Sequence, residues 1–125
     1  MGTNVTGTTK PGPSTTFTRR AVDHLVHGYR LQVAAARSTP RNHSGPPSAL
    51  LVTSREHYRA AIADARHAVI AMRAQGHEEA ARLIANDMRV LAKVIEVQPQ
   101  GLSKFDMYQL GYDLKMALLS VPVAD

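Results

Sequence analysis

Apolar side chains recur every three or four residues along most of this chain, which is the spacing of an amphipathic α-helix. The repeat predicts a first helix over residues 18–37. A second repeat begins at Ser54 and stops at Gly76, and a third follows almost at once and ends before Pro99. With a fourth apolar segment nearer the C-terminus, these stripes predict an all-α fold, a small bundle of about four helices.

The second and third helices carry the usual boundary signals. Ser54 is a typical N-cap residue, and Gly76 is a typical residue just past a helix end. Glu78 and Glu79 stand in the first turn of the third helix, where the helix dipole favours negative charge. Because only Gly76–His77 separates the two segments, we expect them to form an antiparallel hairpin.

The fourth segment, residues 104–119, is apolar on two sides. One face is aromatic and aliphatic: Phe105, Tyr108, Tyr112, Met116 and Leu119. The other is aliphatic: Met107, Leu110, Leu114 and Leu118. A helix that is apolar on two sides is either central in a bundle or also packed against a second chain. We assign the partner or oligomer contact to the face that begins at Met107.

Two segments lack the helical repeat. Residues 1–17 are mostly Gly, Thr, Pro, Asn and Ser, a composition that buries too little apolar surface to offset its ordering entropy, and they are predicted to be a flexible arm. Residues 38–53 contain three prolines and a glycine and are predicted to be a linker or long loop, in which 48–52 is apolar enough to pack down as one turn. Residues 18–125 then form a single helical domain.

The composition narrows the function classes. The chain has 125 residues and no cysteine, which excludes disulfide frameworks, Cys-based metal sites and thiol catalysis. It has no apolar run of 18 residues and no secretory signal pattern, so we expect no membrane span and a cytoplasmic location. No nucleophile elbow, phosphate-binding loop or dinucleotide fingerprint is present, so the sequence predicts neither an enzyme nor a cofactor.

Positive charge is concentrated in the first part of the chain. Residues 1–75 carry ten Lys and Arg against three Asp and Glu, within a formal net charge of +5. Four arginines of the second helix fall at offsets of 4, 7 and 7 and so share one strip: Arg55, Arg59, Arg66 and Arg73. The first helix adds a basic face: Arg19, Arg20, Arg30 and Arg37. These sets are candidate contacts for phosphates or for an acidic protein surface, and the alternative is a solvated helix face.

Two further features have structural as well as functional interpretations. Asp87 falls within the apolar stripe of the third helix, so we expect a salt bridge to an Arg or His on a facing helix, or a place at the rim. The functional interpretation is an acidic residue that pairs with the arginine of a partner, or an acid–base group. His24 and His27 share a helix face, but no carboxylate accompanies them at metal-ligand spacing, so we predict surface histidines and no metal site.

We therefore expect a non-enzymatic helical binding module whose partner is another protein, such as an acidic protein or a member of a nucleoprotein complex, or a second copy of the chain. The excess of Arg over Lys and the many alanines favour a bacterial or phage source, where such proteins inhibit host machinery or join assemblies. The alternative is a nucleic-acid binder that places the arginines of the first two helices on phosphates without reading bases.

Overall fold

The computed structural model describes residues 12–38, 45 and 48–121. Four helices account for most of them: α1 (Pro13–Ser38), α2 (Ala49–Ala74), α3 (Glu78–Val97) and α4 (Lys104–Ser120). Each helix packs against the next, α4 also packs against α1, and α1 with α2 forms the most extensive seam. This is an all-α bundle of four helices in which α2 and α3 form the predicted hairpin, and the described residues contain no strand.

Helix α1 begins five residues earlier than predicted, so the last part of the expected arm is helical. Pro13 is its first residue, a position that proline tolerates because it has no N–H to satisfy. Ser14 and Thr15 are buried, and Ser14 Oγ donates to Gln75 Oε1 at the end of α2 (3.3 Å). Small hydroxyl side chains therefore occupy the buried positions at the start of α1, whereas apolar side chains occupy most of them in the rest of the helix. Residues 1–11 of the predicted arm lie outside the described residues.

Helix α2 also begins five residues early, and Ser54 is not its N-cap. Ser48 caps the helix, since its side chain accepts from the backbone N–H of Leu51. Ser54 is fully buried inside the helix, and its Oγ donates to the carbonyl oxygen of Gly28 in α1 (2.6 Å). Of the predicted loop 38–53, Ser38 and residues 49–53 are helical and 39–44, 46 and 47 lie outside the described residues.

The other boundaries agree with the prediction. Gly76 follows the end of α2 with a φ of 83°, a left-handed conformation that favours glycine. Helix α4 is capped by Ser103, whose side chain accepts from the backbone N–H of Asp106 (3.0 Å). The core between the helices is aliphatic with one tyrosine; its largest fully buried side chains are Leu25, Tyr58, Met72, Ile84, Leu91, Leu110 and Leu114.

Two polar side chains join the helices in this core. The hydroxyl of Tyr58 in α2 donates to Gln32 Oε1 in α1 (2.6 Å). The same oxygen accepts from the backbone N–H of Leu102, and Gln32 Nε2 donates to the carbonyl oxygen of Leu102 (2.8 and 2.6 Å). Burial raises the pKa of Tyr58 to about 12, so its hydroxyl stays protonated and remains a donor. Gln32 thus connects α1 with α2 and with the α3–α4 loop.

Gly28 sets the distance between α1 and α2. A Cβ built at this position would lie 2.6 Å from Tyr58 Cε1 and 3.0 Å from the carbonyl oxygen of Ser54. We expect Gly28→Ala to lower the free energy of unfolding by about 2 kcal/mol, because the helices must separate or Tyr58 must leave its position. Chemical denaturation measures the change.

Gly111 is the matched control for this substitution. It lies within α4, and a Cβ added to it would meet no other atom within 4 Å. Gly111→Ala is therefore expected to stabilise the protein by up to about 1 kcal/mol through helix propensity. Equal effects at the two glycines would show that Gly28 does not determine the helix spacing.

Candidate protein-binding surface

One face of α4 exposes five large apolar side chains to solvent. Their exposed fractions are 75% for Phe105, 78% for Tyr108, 54% for Tyr112, 42% for Met116 and 71% for Leu119. They follow one another at spacings of three and four and therefore share one side of the helix. We call these five residues the α4 surface.

The assignment of the two α4 faces from the sequence was wrong. Leu110 and Leu114 are 2% and 0% exposed and belong to the core, and Met107 and Leu118 are partly buried on the same side. The inward face continues through Ala117 and Val121, both buried. The feature of the sequence that could have identified the inward face is the small side chain of Ala117, because it allows α4 to approach its neighbours closely.

The α4 surface is at the upper end of the sizes of apolar patches on monomers. With roughly 200 Å² for one aromatic side chain, the five residues expose on the order of 600 Å². Contiguous apolar patches on monomeric proteins seldom exceed about 300–600 Å², and one side of a standard protein interface covers about 800 Å². The surface has the size and the Tyr, Phe and Met content typical of the centre of an interface.

The arginine strip of α2 lies on one helix face as predicted, but two of its members contact their own chain. Arg55 donates from Nη2 to the carbonyl oxygen of Pro99 (2.8 Å), which ties α2 to the α3–α4 loop. Arg73 pairs with Glu78 across the hairpin turn, at 3.3 Å between Nε and Oε1. Arg59 and Arg66 are exposed and make no ion pair or hydrogen bond with the residues described.

The basic residues of α1 lie on two sides of the helix. Arg20 turns towards α2, where its Nε is 3.9 Å from Asp64 Oδ1 and its guanidinium lies 5.4 Å from the ring centre of Phe17. Arg19, Arg30 and Arg37 are exposed and lie on a different side of α1 from Arg20. The four arginines of α1 therefore do not form one basic face.

The α1–α2 seam also contains imidazoles. The Nδ1 atoms of His24 and His57 are 3.0 Å apart, and His24 Nε2 is 3.7 Å from Asp64 Oδ2. His27 stands edge-on to His57, with ring centres 5.6 Å apart. Sequence reasoning missed this grouping because His57 is 33 positions from His24. Among the described residues, no group of three or more His, Asp or Glu side chains is arranged to hold a metal ion.

Asp87 is buried as predicted, but its neighbour is another acid rather than a base. The residue is 8% exposed, and Oδ2 has no hydrogen-bond partner among the described residues. Burial, together with a hydrogen bond to Asp113 of α4 and its negative charge, raises the pKa of Asp87 to about 8. Asp113 in turn accepts from Gln109 Nε2 (3.0 Å). At neutral pH the buried carboxyl of Asp87 at the α3–α4 interface is therefore mostly protonated.

The comparisons with known proteins add no relative to this picture. None of the helices in the described part of the chain is long and apolar enough to span a membrane. Searches against protein-family models, curated proteins and solved structures find no match to the chain.

Proposed function

We propose that this protein is a non-enzymatic binding module that recognises another protein through the α4 surface. The observation that supports the proposal is the exposure of five large apolar side chains on one side of a single helix. Burying them in a complex removes apolar area from water, which is the main favourable term in protein association. The partner contact predicted for α4 is thus retained, but on the opposite face of the helix.

The identity of the partner is proposed only by class. An apolar and aromatic helix face fits a hydrophobic groove or a second helix face on the partner. A second copy of the chain is included, since the same face on two copies can form an isologous pair. An inhibitor or assembly component from a bacterial or phage source, acting in the cytoplasm, is the role that we propose for such a module.

Site-specific photo-cross-linking tests the proposal. A benzophenone amino acid replaces Tyr112 in the α4 surface and, as the matched control, the exposed Lys93 of α3. We expect a discrete protein adduct from position 112 in source cells or with the purified protein, and none from position 93. The double variant Tyr108→Ser, Leu119→Ser should reduce the adduct at least about tenfold, because interface centres carry most of the binding energy.

A control establishes whether the double variant is still folded. Tyr108 and Leu119 are both more than 70% exposed, so the double variant should keep the helical far-UV signal and the unfolding midpoint of the parent. Equal labelling from positions 112 and 93, or an adduct that the double variant does not reduce, would contradict a protein-binding role for the α4 surface.

The alternative function, nucleic-acid binding, is supported by the two arginines of α2 that pair with none of the described residues. Charge-driven binding to duplex DNA should weaken steeply between roughly 50 and 200 mM salt. It should also be lost in the variant Arg59→Glu, Arg66→Glu while the helical signal is retained. Binding with both properties, together with no adduct from the α4 surface, would replace the proposal made above.

A further inference from the structure

A groove runs between α2 and α3 on the side that carries the arginine strip. It has a volume of about 380 Å³ and extends over roughly two helical turns of each helix. Its apolar lining is Ile62, Ala65, Val69, Ile70, Ala85, Met88 and Ala92. Three alanines leave the recess open, and Ile70 is 67% exposed at its edge.

Two guanidinium groups are the charged members of this lining. Arg66 lines the groove from α2 and Arg89 lines it from α3. Arg89 donates to the side-chain oxygen of Asn86 (3.1 Å), a neutral acceptor, and Arg66 has no hydrogen bond or ion pair with the described residues. None of the described residues that line the groove is acidic. An apolar recess with two uncompensated cations complements a ligand that is apolar along most of its length and negative at one end.

We propose that this groove binds a free, single-chain aliphatic acid of medium length. The hydrocarbon chain lies between α2 and α3 against the three alanines of the lining. The carboxylate accepts hydrogen bonds from Arg66 and Arg89. Small-molecule sites have volumes of about 300–1,000 Å³ and mostly apolar walls with a few polar groups that orient the ligand. One side of a protein interface needs about 800 Å², which two turns of a narrow groove do not supply.

The site is independent of the α4 surface. Helix α4 packs against α3 and α1, whereas the groove is formed by α2 and α3. A variant of the α4 surface should therefore leave the groove unchanged, and the two proposals can succeed or fail separately.

Titration of the isotope-labelled full chain with dodecanoate, below its critical micelle concentration, tests the site. We expect a dissociation constant on the order of 100 µM, which matches the binding efficiency of small ligands. Amide chemical-shift changes should centre on Ala65, Ala85 and Ala92 rather than on α4. Dodecyl maltoside, which is neutral, and dodecyltrimethylammonium, which is cationic, should bind at least about tenfold more weakly.

Four variants distinguish binding in the groove from binding at other surfaces. Arg66→Gln with Arg89→Gln should weaken dodecanoate binding about tenfold or more, because both hydrogen-bond donors to the carboxylate lose their charge. The exposed arginines of the same helices, changed as Arg59→Gln with Arg82→Gln, should have no such effect. Ala92→Phe fills the groove from an exposed position and should abolish binding without affecting the fold. The double variant of the α4 surface described above should bind like the parent.

Several results would overturn the proposal. Equal affinity for the three amphiphiles would show that the arginines do not distinguish a carboxylate from a neutral or a cationic head group. Shift changes centred on α4, or loss of binding in the Tyr108→Ser, Leu119→Ser variant, would place the alkyl chain on the α4 surface. No saturable binding of dodecanoate by the folded parent would exclude the site.

Discussion

Gln32→Ala should lower the free energy of unfolding by about 3–5 kcal/mol, the largest effect that we expect from a single substitution. The change removes the partner of three buried groups at once, namely the Tyr58 hydroxyl and the backbone N–H and C=O of Leu102. Tyr58 is 1% exposed and Leu102 is 3% exposed. A buried polar group without a partner costs about 1–3 kcal/mol, and solvent has little access to these three.

Urea denaturation of four variants, namely Gln32→Ala, Tyr58→Phe, their combination and Gln100→Ala, measures this effect and its cause. Tyr58→Phe removes one of the hydrogen bonds and should cost about 1–2 kcal/mol in the parent. When Gln32 is already Ala, the same change should instead recover about 1–3 kcal/mol, because it removes a buried hydroxyl that has lost its acceptor. Gln100→Ala changes an exposed glutamine of the same loop and should have little effect. A Gln32→Ala variant as stable as Gln100→Ala would mean that the α3–α4 loop is held by other contacts.

Asp87→Asn is expected to stabilise the protein at pH 8 by about 2–4 kcal/mol and to have little effect near pH 4. The pKa of Asp87 is about 8 in the folded protein and 3.8 without the fold. Below pH 4 the carboxyl is protonated in both states, so its contribution to stability is fully present. Between pH 4 and 8 the unfolded chain releases this proton while the folded protein keeps it, which lowers stability by up to about 1.4 kcal/mol per pH unit.

The asparagine amide removes this dependence, because it is neutral at every pH and keeps a hydrogen-bond donor beside Asp113. Unfolding free energies at pH 5 and pH 8 should therefore differ more for the parent than for Asp87→Asn. Asp23→Asn, at an exposed site in α1, is the control and should keep the pH dependence of the parent. Parallel pH profiles for the parent and Asp87→Asn would show that the carboxyl pair does not bind a proton more tightly in the folded state.

The features that could be predicted from the sequence are those that depend on residues close to one another in the chain. The four helices, the hairpin at Gly76 and the Ser103 cap follow from repeats and caps that lie within a few residues of one another. The starts of α1 and α2 were missed because Ser14 and Ser54 are buried small hydroxyl residues of a type that is common in turns. Burial of Asp87 was predicted from its place in an apolar stripe.

Contacts between distant positions were beyond sequence reasoning. Gln32 and Leu102 are 70 positions apart, and Arg55 and Pro99 are 44 apart, so neither pairing has a local pattern. The two apolar faces of α4 were found, but the choice between them depended on which face fits the space left by α1 and α3. The α2–α3 groove has the same origin, since Arg66 and Arg89 line one recess only when the hairpin closes.

The α4 surface also gives the protein an optical label. The chain contains four tyrosines and no tryptophan, so its near-ultraviolet absorbance and emission come from tyrosine, with a small contribution from phenylalanine. Tyr108 and Tyr112 are both exposed on this helix face, while Tyr58 is enclosed in the core. Two of the four tyrosines therefore lie where a bound partner would exclude water. Binding of a partner without tryptophan could then be followed through the change in tyrosine absorbance and emission, with no dye attached.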